Sequence, residues 1–194
     1  MARGGQAAGY NRVIGDRRLC ASKYERQMNM RIRRYASTDR EAVLAAFWSN
    51  VPAYFPASEE AWLCSCLDEP DGPLFVVVDG KEIVGFGGYE LSEFYHLGTV
   101  VFGLVRADHH GTGIGRMLMV YRLRHMAKRQ LRPRYVTVDT HPITAGFFAR
   151  CGFVEIARWP GGYRSGMDRV DLRFELTDEA LAELRWPGQT KRAN

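Results

Sequence analysis

The chain has 194 residues, of which 46% are hydrophobic, 12% aromatic and 25% charged, and its formal net charge is +5 at pH 7. This composition is typical of a globular protein with one sizeable core and excludes disordered, collagen-like and disulfide-scaffold chains. Strictly apolar runs such as residues 75–78 are far shorter than the ~18 residues of a membrane helix, so we expect no membrane segment.

The first 29 residues differ from the rest of the chain. They are rich in Gly, Ala and Arg, lack periodicity, and hold six basic side chains against two acidic ones. We expect a disordered basic leader over residues 1–29, a folded domain over residues 30–176, and a tail with a short helix over residues 177–194. The leader has no aromatic platform beyond Tyr10 and Tyr24, so nucleic acid is not an expected partner.

The start of the chain bears on the cellular compartment, and the cysteines bear on metal and disulfide chemistry. The first thirty residues contain no apolar block of the kind found in a secretory signal, which predicts a cytoplasmic protein. The four cysteines form no CxxC pair and have no histidine at zinc spacing. We therefore predict neither a metal site nor a disulfide framework.

The domain begins with signals for a strand and two helices. Ile32 and Tyr35 belong to a short alternating segment. Residues 37–39 are Ser-Thr-Asp, which are types that cap helices, and apolar residues then recur at helical spacing as far as Trp48. Ser58, followed by two glutamates and a second set of apolar residues, predicts another helix.

A Pro-Asp-Gly-Pro sequence at residues 70–73 ends that helix and precedes the clearest hairpin signal in the chain. Residues 74–78 and 83–91 are strand-like, and the Asp-Gly pair at 79–80 joins them. These two strands are predicted to be antiparallel.

The second half of the domain alternates strands and helices. An apolar run over 99–105 predicts a strand, and residues 110–115 (His-Gly-Thr-Gly-Ile-Gly, here the glycine loop) lead into apolar residues at helical spacing. The next elements are a strand over 135–138, a helix over 144–150, strands from Phe153 and over 170–176, and a tail helix capped by Thr177. Leu181, Leu184 and Trp186 in the tail would pack on the domain or on a partner.

The glycine loop has the features of a phosphate site. Gly111, Gly113 and Gly115 allow close backbone approach, and a helix that starts there directs unpaired N–H groups at an anion. Thr112 could donate a hydroxyl, and Arg116 adds positive charge.

Two familiar phosphate motifs are tested by their spacing. The GxxxxGK[ST] pattern is absent. The loop reads GxGxG where a dinucleotide fingerprint reads GxGxxG, so a dinucleotide site, with Asp139 on the ribose, remains only an alternative.

The element order and two motifs resemble the GCN5-related N-acetyltransferase (GNAT) family. The glycine loop is similar to the family's cofactor motif of Gln or Arg, two residues, Gly, any residue, then Gly or Ala, with His110 in the first place. Residues 145–153 are similar to the helix that ends in Phe-Tyr-x-x-x-Gly-Phe, with Phe148 in place of the tyrosine. The resemblance covers residues 31–176 and implies an α/β fold whose central, mostly antiparallel sheet has flanking helices.

The same resemblance implies an acetyl-coenzyme A site. The strand end at Leu104 and Val105 would separate from its neighbour and offer backbone groups to the pantetheine arm, the amides of residues 111–116 would hold the pyrophosphate, and Thr140 would flank the thioester. The implied cofactor-binding residues are Leu104, Val105, His110, Gly111, Thr112, Gly113, Ile114, Gly115, Arg116 and Thr140.

The implied reaction is acetyl transfer to a primary amine by direct attack in a ternary complex. Glu90, near the end of a strand, is our candidate base. Phe148 has no hydroxyl with which to protonate the departing thiolate, so Cys151, Tyr163 or water are the candidate acids. The acceptor would be an amine of a small molecule or a protein, and a homodimer is a family-level expectation. A non-catalytic domain that binds or senses acyl-coenzyme A is the alternative.

Overall fold

The computed structural model describes residues 30–163 and 166–184. Our expectations for the basic leader and for Trp186 lie outside these residues. Within them, the predicted element order is confirmed.

Seven strands and five α-helices make up the described fold. The strands are β1 (Met30–Arg34), β2 (Leu74–Asp79), β3 (Glu82–Ser92), β4 (Leu97–Val105), β5 (Tyr135–Thr140), β6 (Val154–Trp159) and β7 (Arg169–Glu175). The helices are α1 (Arg40–Trp48), α2 (Glu60–Asp68), α3 (Ile114–Ala127), α4 (Pro142–Arg150) and α5 (Asp178–Glu183). Short 3₁₀ helices occupy Ser37–Asp39, Ala57–Glu59 and Ala107–His109.

The strands form one sheet in the order β1-β2-β3-β4-β5-β7-β6. Every neighbouring pair is antiparallel except β4 and β5, which are parallel. This confirms the mostly antiparallel sheet. It also shows that the dinucleotide alternative is wrong, because that fold needs a parallel sheet with helical crossovers between its strands.

Two apolar layers cover the two faces of the sheet. Alternate side chains of β2 show the division, because Val76 packs in the layer with α1 and α2 whereas Phe75 packs in the layer with α3 and α4. Thr177 caps α5 through a hydrogen bond from the Ala180 N–H, as predicted. Leu184 then packs into the α3 and α4 layer of its own domain.

None of the described helices combines the length and the apolar content that a bilayer crossing requires.

A buried carboxylate fixes the entry into α1. Asp39 is buried, and its carboxylate accepts hydrogen bonds from the guanidinium of Arg33 and from the N–H of Ala36. The hydrogen bond from Arg33 holds the Asp39 pKa below its ordinary value. Residues 37–39 therefore form a 3₁₀ turn, and α1 begins at Arg40, one residue beyond the predicted capping types.

We expect Asp39→Asn to lower the free energy of unfolding at pH 7 by about 1–3 kcal/mol, since it weakens buried hydrogen bonds to a charged group. Because the folded-state pKa is lowered, this stabilisation is complete above the ordinary pKa of 3.8 and is lost as the pH falls further. Urea unfolding of both proteins at pH 7 and below pH 3.8 measures the effect. Asp68→Asn is the control, because Asp68 pairs with Arg40 on the surface and such pairs contribute about 0–1 kcal/mol.

Candidate active site

The two parallel strands separate along their length. β4 and β5 pair only from Leu97 to Thr99 and from Tyr135 to Thr137. Beyond these residues β4 continues to Val105 and β5 to Thr140 without pairing to each other. The C-terminal halves of the strands thus border an opening, here called the β4/β5 gap, as predicted for the strand end at Leu104 and Val105.

The opposite edge of β4 is also irregular. The register between β3 and β4 shifts between Phe86 and Gly88. Phe102 has a φ of 51°, a left-handed conformation that is a genuine outlier for a bulky residue. The ring of Phe102 stacks against Trp62 of α2, with the ring centroids 4.1 Å apart. The distortion of β4 therefore lies beside the β4/β5 gap.

The glycine loop has the geometry of an anion site. Gly111 and Gly113 have φ angles of 73° and 93°, and Gly113 is the N-cap of α3. Within the described parts of the chain, the N–H groups of residues 111–115 donate to no acceptor. These N–H groups and the positive end of α3 have the arrangement that favours an anion, and their binding of a phosphate stays a prediction.

The polar groups of His110 and Thr112 instead form hydrogen bonds within the protein. The His110 ring donates to the Val105 carbonyl at 2.9 Å, and the His110 N–H donates to the Ala107 carbonyl at 3.2 Å. Both the ring and the N–H of His110 are therefore engaged within the protein in this structure, and its assignment as a cofactor-binding residue stays a prediction. The Thr112 hydroxyl donates to the His109 carbonyl at 2.6 Å. The hydrogen bonds of both residues thus stabilise the conformation of the glycine loop.

Other predicted cofactor residues lie around the start of α3. Gly115 packs closely on α4, since a Cβ there would make a tight contact of 3.2 Å with the ring of Phe147. Ile114 is buried in the core, and Arg116 donates to the carbonyl of Arg150. Thr140 is buried at the end of β5, and its hydroxyl lies 2.5 Å from that of Thr144.

The candidate base lies on the sheet face that carries α1 and α2. Glu90 is adjacent to Thr99 across β3 and β4, and Thr99 is adjacent to Thr137, where β5 leaves β4. Burial raises the pKa of the Glu90 carboxyl, and the negative charge of Asp71 raises it further. A carboxylate with a raised pKa at the closed end of the gap is suited to accept a proton.

The two candidate acids lie in different places. Cys151 is buried in the layer with α3 and α4, and this burial raises the pKa of its thiol. Tyr163 lies in the loop between β6 and β7, where its ring meets the ring of His141 edge-on at 5.3 Å. Phe148 is packed against Phe147 and Phe153 in the core. The structure thus does not bring Cys151 and Tyr163 together.

A connection between α1 and α2 spans the gap. In residues 49–54, here called the bridging segment, the Asn50 amide donates to the Val105 carbonyl at 2.9 Å, on the β4 side. On the β5 side, the His141 ring donates to the Tyr54 carbonyl at 3.2 Å. Sequence analysis did not identify Asn50, because a lone polar residue after a helix carries no motif.

The comparisons with known proteins agree with this geometry. The acetyltransferase (GNAT) family model matches residues 37–153, which is more than half of the chain. A mycothiol acetyltransferase of Streptomyces bingchenggensis is 38% identical over 87 residues, which cover 44% of this chain and 28% of that protein. The chain therefore matches little more than a quarter of the length of this relative.

Solved structures show the same fold. A spermidine N-acetyltransferase chimera from Vibrio cholerae and hSSAT is 15% identical with a TM-score of 0.63, covering 79% of this chain and 98% of that one. The ribosomal-protein-S18-alanine N-acetyltransferase of Escherichia coli is 18% identical with a TM-score of 0.63, covering 76% and 94%. The family match, the separation of β4 from β5 and the open glycine loop all agree. The chain belongs to the GNAT family of acetyltransferases.

Proposed function

We propose that residues 30–176 form an N-acetyltransferase domain that transfers an acetyl group from acetyl-coenzyme A to a primary amine. The observation that carries this proposal is the β4/β5 gap, which leads from the open N–H groups of the glycine loop to the neighbourhood of Glu90. Acetyl-coenzyme A would supply the activated acyl group as a thioester.

The residues present fit this donor. The left-handed glycines at 111 and 113 place N–H groups at the start of α3 for the pyrophosphate. The unpaired edges of β4 and β5 leave backbone groups for the pantetheine arm, although the Val105 carbonyl is occupied by Asn50 and His110. The amides of residues 111–115 are thus the principal anchors in this proposal.

The amine must lose a proton before it attacks. Glu90 would accept this proton, directly or through water, as the amine attacks the acyl carbon in a ternary complex. A departing thiolate needs little help, because an ordinary thiol has a pKa of ~8.5. Water or Tyr163 would protonate it in preference to Cys151, whose thiol is enclosed in the core.

A second function is favoured by one residue. Phe148 stands at the position where the family often has a tyrosine, so a domain that binds acyl-coenzyme A without catalysis is the alternative. Turnover separates the two functions, since only the enzyme releases free thiol in the presence of an amine.

We expect the purified protein to bind acetyl-coenzyme A in calorimetric titration and to bind NADH far more weakly. Thiol release is then measured with spermidine and with a peptide that begins with alanine, the acceptors named for two proteins of similar fold. Binding without thiol release from a broad amine panel would favour the binding domain. Binding of NADH alone would contradict both functions.

We also propose a cytoplasmic setting. Cys64, Cys66 and Cys151 are free thiols, as expected where thiols remain reduced. The homodimer remains a prediction, to be tested by sedimentation, and Leu184 is already buried against its own domain.

A further inference from the structure

A buried arginine lies behind the distorted part of β4. Arg122, in the middle of α3, is only 1% exposed. Its Nη1 atom donates to the carbonyls of Phe102 at 2.6 Å, Gly88 at 3.1 Å and Val101 at 3.4 Å. Within residues 30–163 and 166–184, no carboxylate forms an ion pair with Arg122.

This arrangement is costly, so it needs a physical reason. Burial lowers the Arg122 pKa to about 10, which still leaves the guanidinium charged at neutral pH. Its acceptors are carbonyls at the place where the register between β3 and β4 shifts. Buried carbonyls that lose a ladder partner must be satisfied in another way. Arg122 supplies the donors that the sheet does not.

The hydrogen bonds of Arg122 set the direction of one peptide unit. The Phe102 carbonyl faces Arg122, and the C=O and N–H of a trans peptide point in opposite directions. The N–H of Gly103 therefore points away from Arg122. Gly103 is exposed, whereas Phe102 and Leu104 on either side are buried. This peptide thus lies at the open edge of β4, along the β4/β5 gap.

We propose that Arg122 is a positioning residue for acetyl transfer, which holds the Phe102–Gly103 peptide and the Phe102 ring in the orientation that the reaction needs. This proposal rests on the proposed function. Phe102 carries the effect to the sheet face with α1, α2 and Glu90, because its ring stacks on Trp62 of α2. An apolar residue at position 122 could fill the space but could not orient the peptide.

The first test is Arg122→Lys, which keeps the charge but has a shorter side chain without the planar guanidinium, so its ammonium cannot take the place of Nη1 among the three carbonyls. We expect kcat to fall about 10- to 30-fold, within the range that misplacement of reacting groups causes, while the affinity for coenzyme A without the acetyl group stays within about threefold. We also expect a smaller ratio between the dissociation constants of coenzyme A and acetyl-coenzyme A. This ratio can be measured without turnover. Arg124→Lys is the matched control, because Arg124 on the same helix donates to the Leu184 carbonyl in the tail.

A second variant tests the same geometry without changing the arginine. A Cβ at position 87 would lie 2.8 Å from Arg122 Nη1 and 3.1 Å from the Phe102 carbonyl oxygen. Gly87→Ala should therefore displace the guanidinium and lower kcat in the same way.

The outcomes are distinct. Unchanged kcat in folded Arg122→Lys and Gly87→Ala, with only a lower melting temperature, would overturn the proposal. Loss of the near-ultraviolet circular dichroism spectrum in both variants would assign Arg122 to folding alone and overturn it too. If the unaltered protein binds acetyl-coenzyme A but no amine yields thiol, the proposed function fails instead.

Discussion

Gly113→Val is expected to weaken acetyl-coenzyme A binding at least ~100-fold, a loss of about 2.7 kcal/mol of binding free energy. Gly113 has a φ of 93° at the N-cap of α3, a conformation that a β-branched residue strongly disfavours. The variant should change the direction of the glycine-loop amides, and these amides would then no longer converge on a phosphate. Calorimetric titration measures the change.

A control separates this effect from general strain. Gly80, in the turn between β2 and β3, also has a positive φ, of 60°, and a Cβ there would meet nothing within 4 Å. Gly80→Val should lower the melting temperature through similar strain and leave the affinity unchanged. Wild-type affinity in folded Gly113→Val would rule out the glycine loop as the phosphate site.

Glu90→Gln is expected to reduce kcat by about 10²- to 10³-fold, in the range of general base catalysis. Its affinity for acetyl-coenzyme A should be unchanged, because Glu90 lies away from the glycine loop. In the unaltered protein, kcat/KM should rise with pH through the raised pKa of this carboxyl. The variant should lack this rise in its pH profile. Steady-state thiol release across the pH range measures both effects.

The same substitution has a predicted sign for stability. The folded-state pKa of Glu90 is raised, so its contribution to stability is complete below the ordinary value of 4.5 and is lost as the pH rises through the raised pKa. Glu90→Gln should therefore melt slightly higher than the unaltered protein at pH 7, and the difference should vanish below pH 4.5. Glu41→Gln, at an exposed site in α1, is the control. A kcat that equals that of this control would exclude Glu90 as the base.

Local signals explain why the element order was predictable. The Asp79-Gly80 turn, the glycine loop and the cap at Thr177 each depend on neighbouring residues alone, and the structure has all three elements. The family motifs then implied the sheet and the donor. The separation of β4 from β5 followed from the resemblance and not from the residues, since pairing between distant strands leaves little local trace.

The distortion of β4 could not be predicted from the sequence, for a physical reason. Residues 99–105 form a continuous apolar run, which predicts a regular strand. No residue pattern in this run indicates the positive φ of Phe102. Arg122 did leave a signal. It lies four residues after Leu118 and four before Met126, both buried, so helical spacing places a charged residue on the apolar face of α3. The inward turn of the His110 ring depends on tertiary contacts and has no such signal.

The bridging segment connects the two borders of the β4/β5 gap and would thereby couple the binding of the two substrates of the ternary complex. It is hydrogen-bonded to β4 through Asn50, and its Tyr54 carbonyl accepts from His141, the residue that directly follows β5. A ligand that changes the spacing of the two strands must therefore also move the chain between α1 and α2. Any factor by which the donor changes the affinity for the amine must then equal the factor by which the amine changes the affinity for the donor. Measuring each dissociation constant with and without the other ligand gives this coupling free energy from either side.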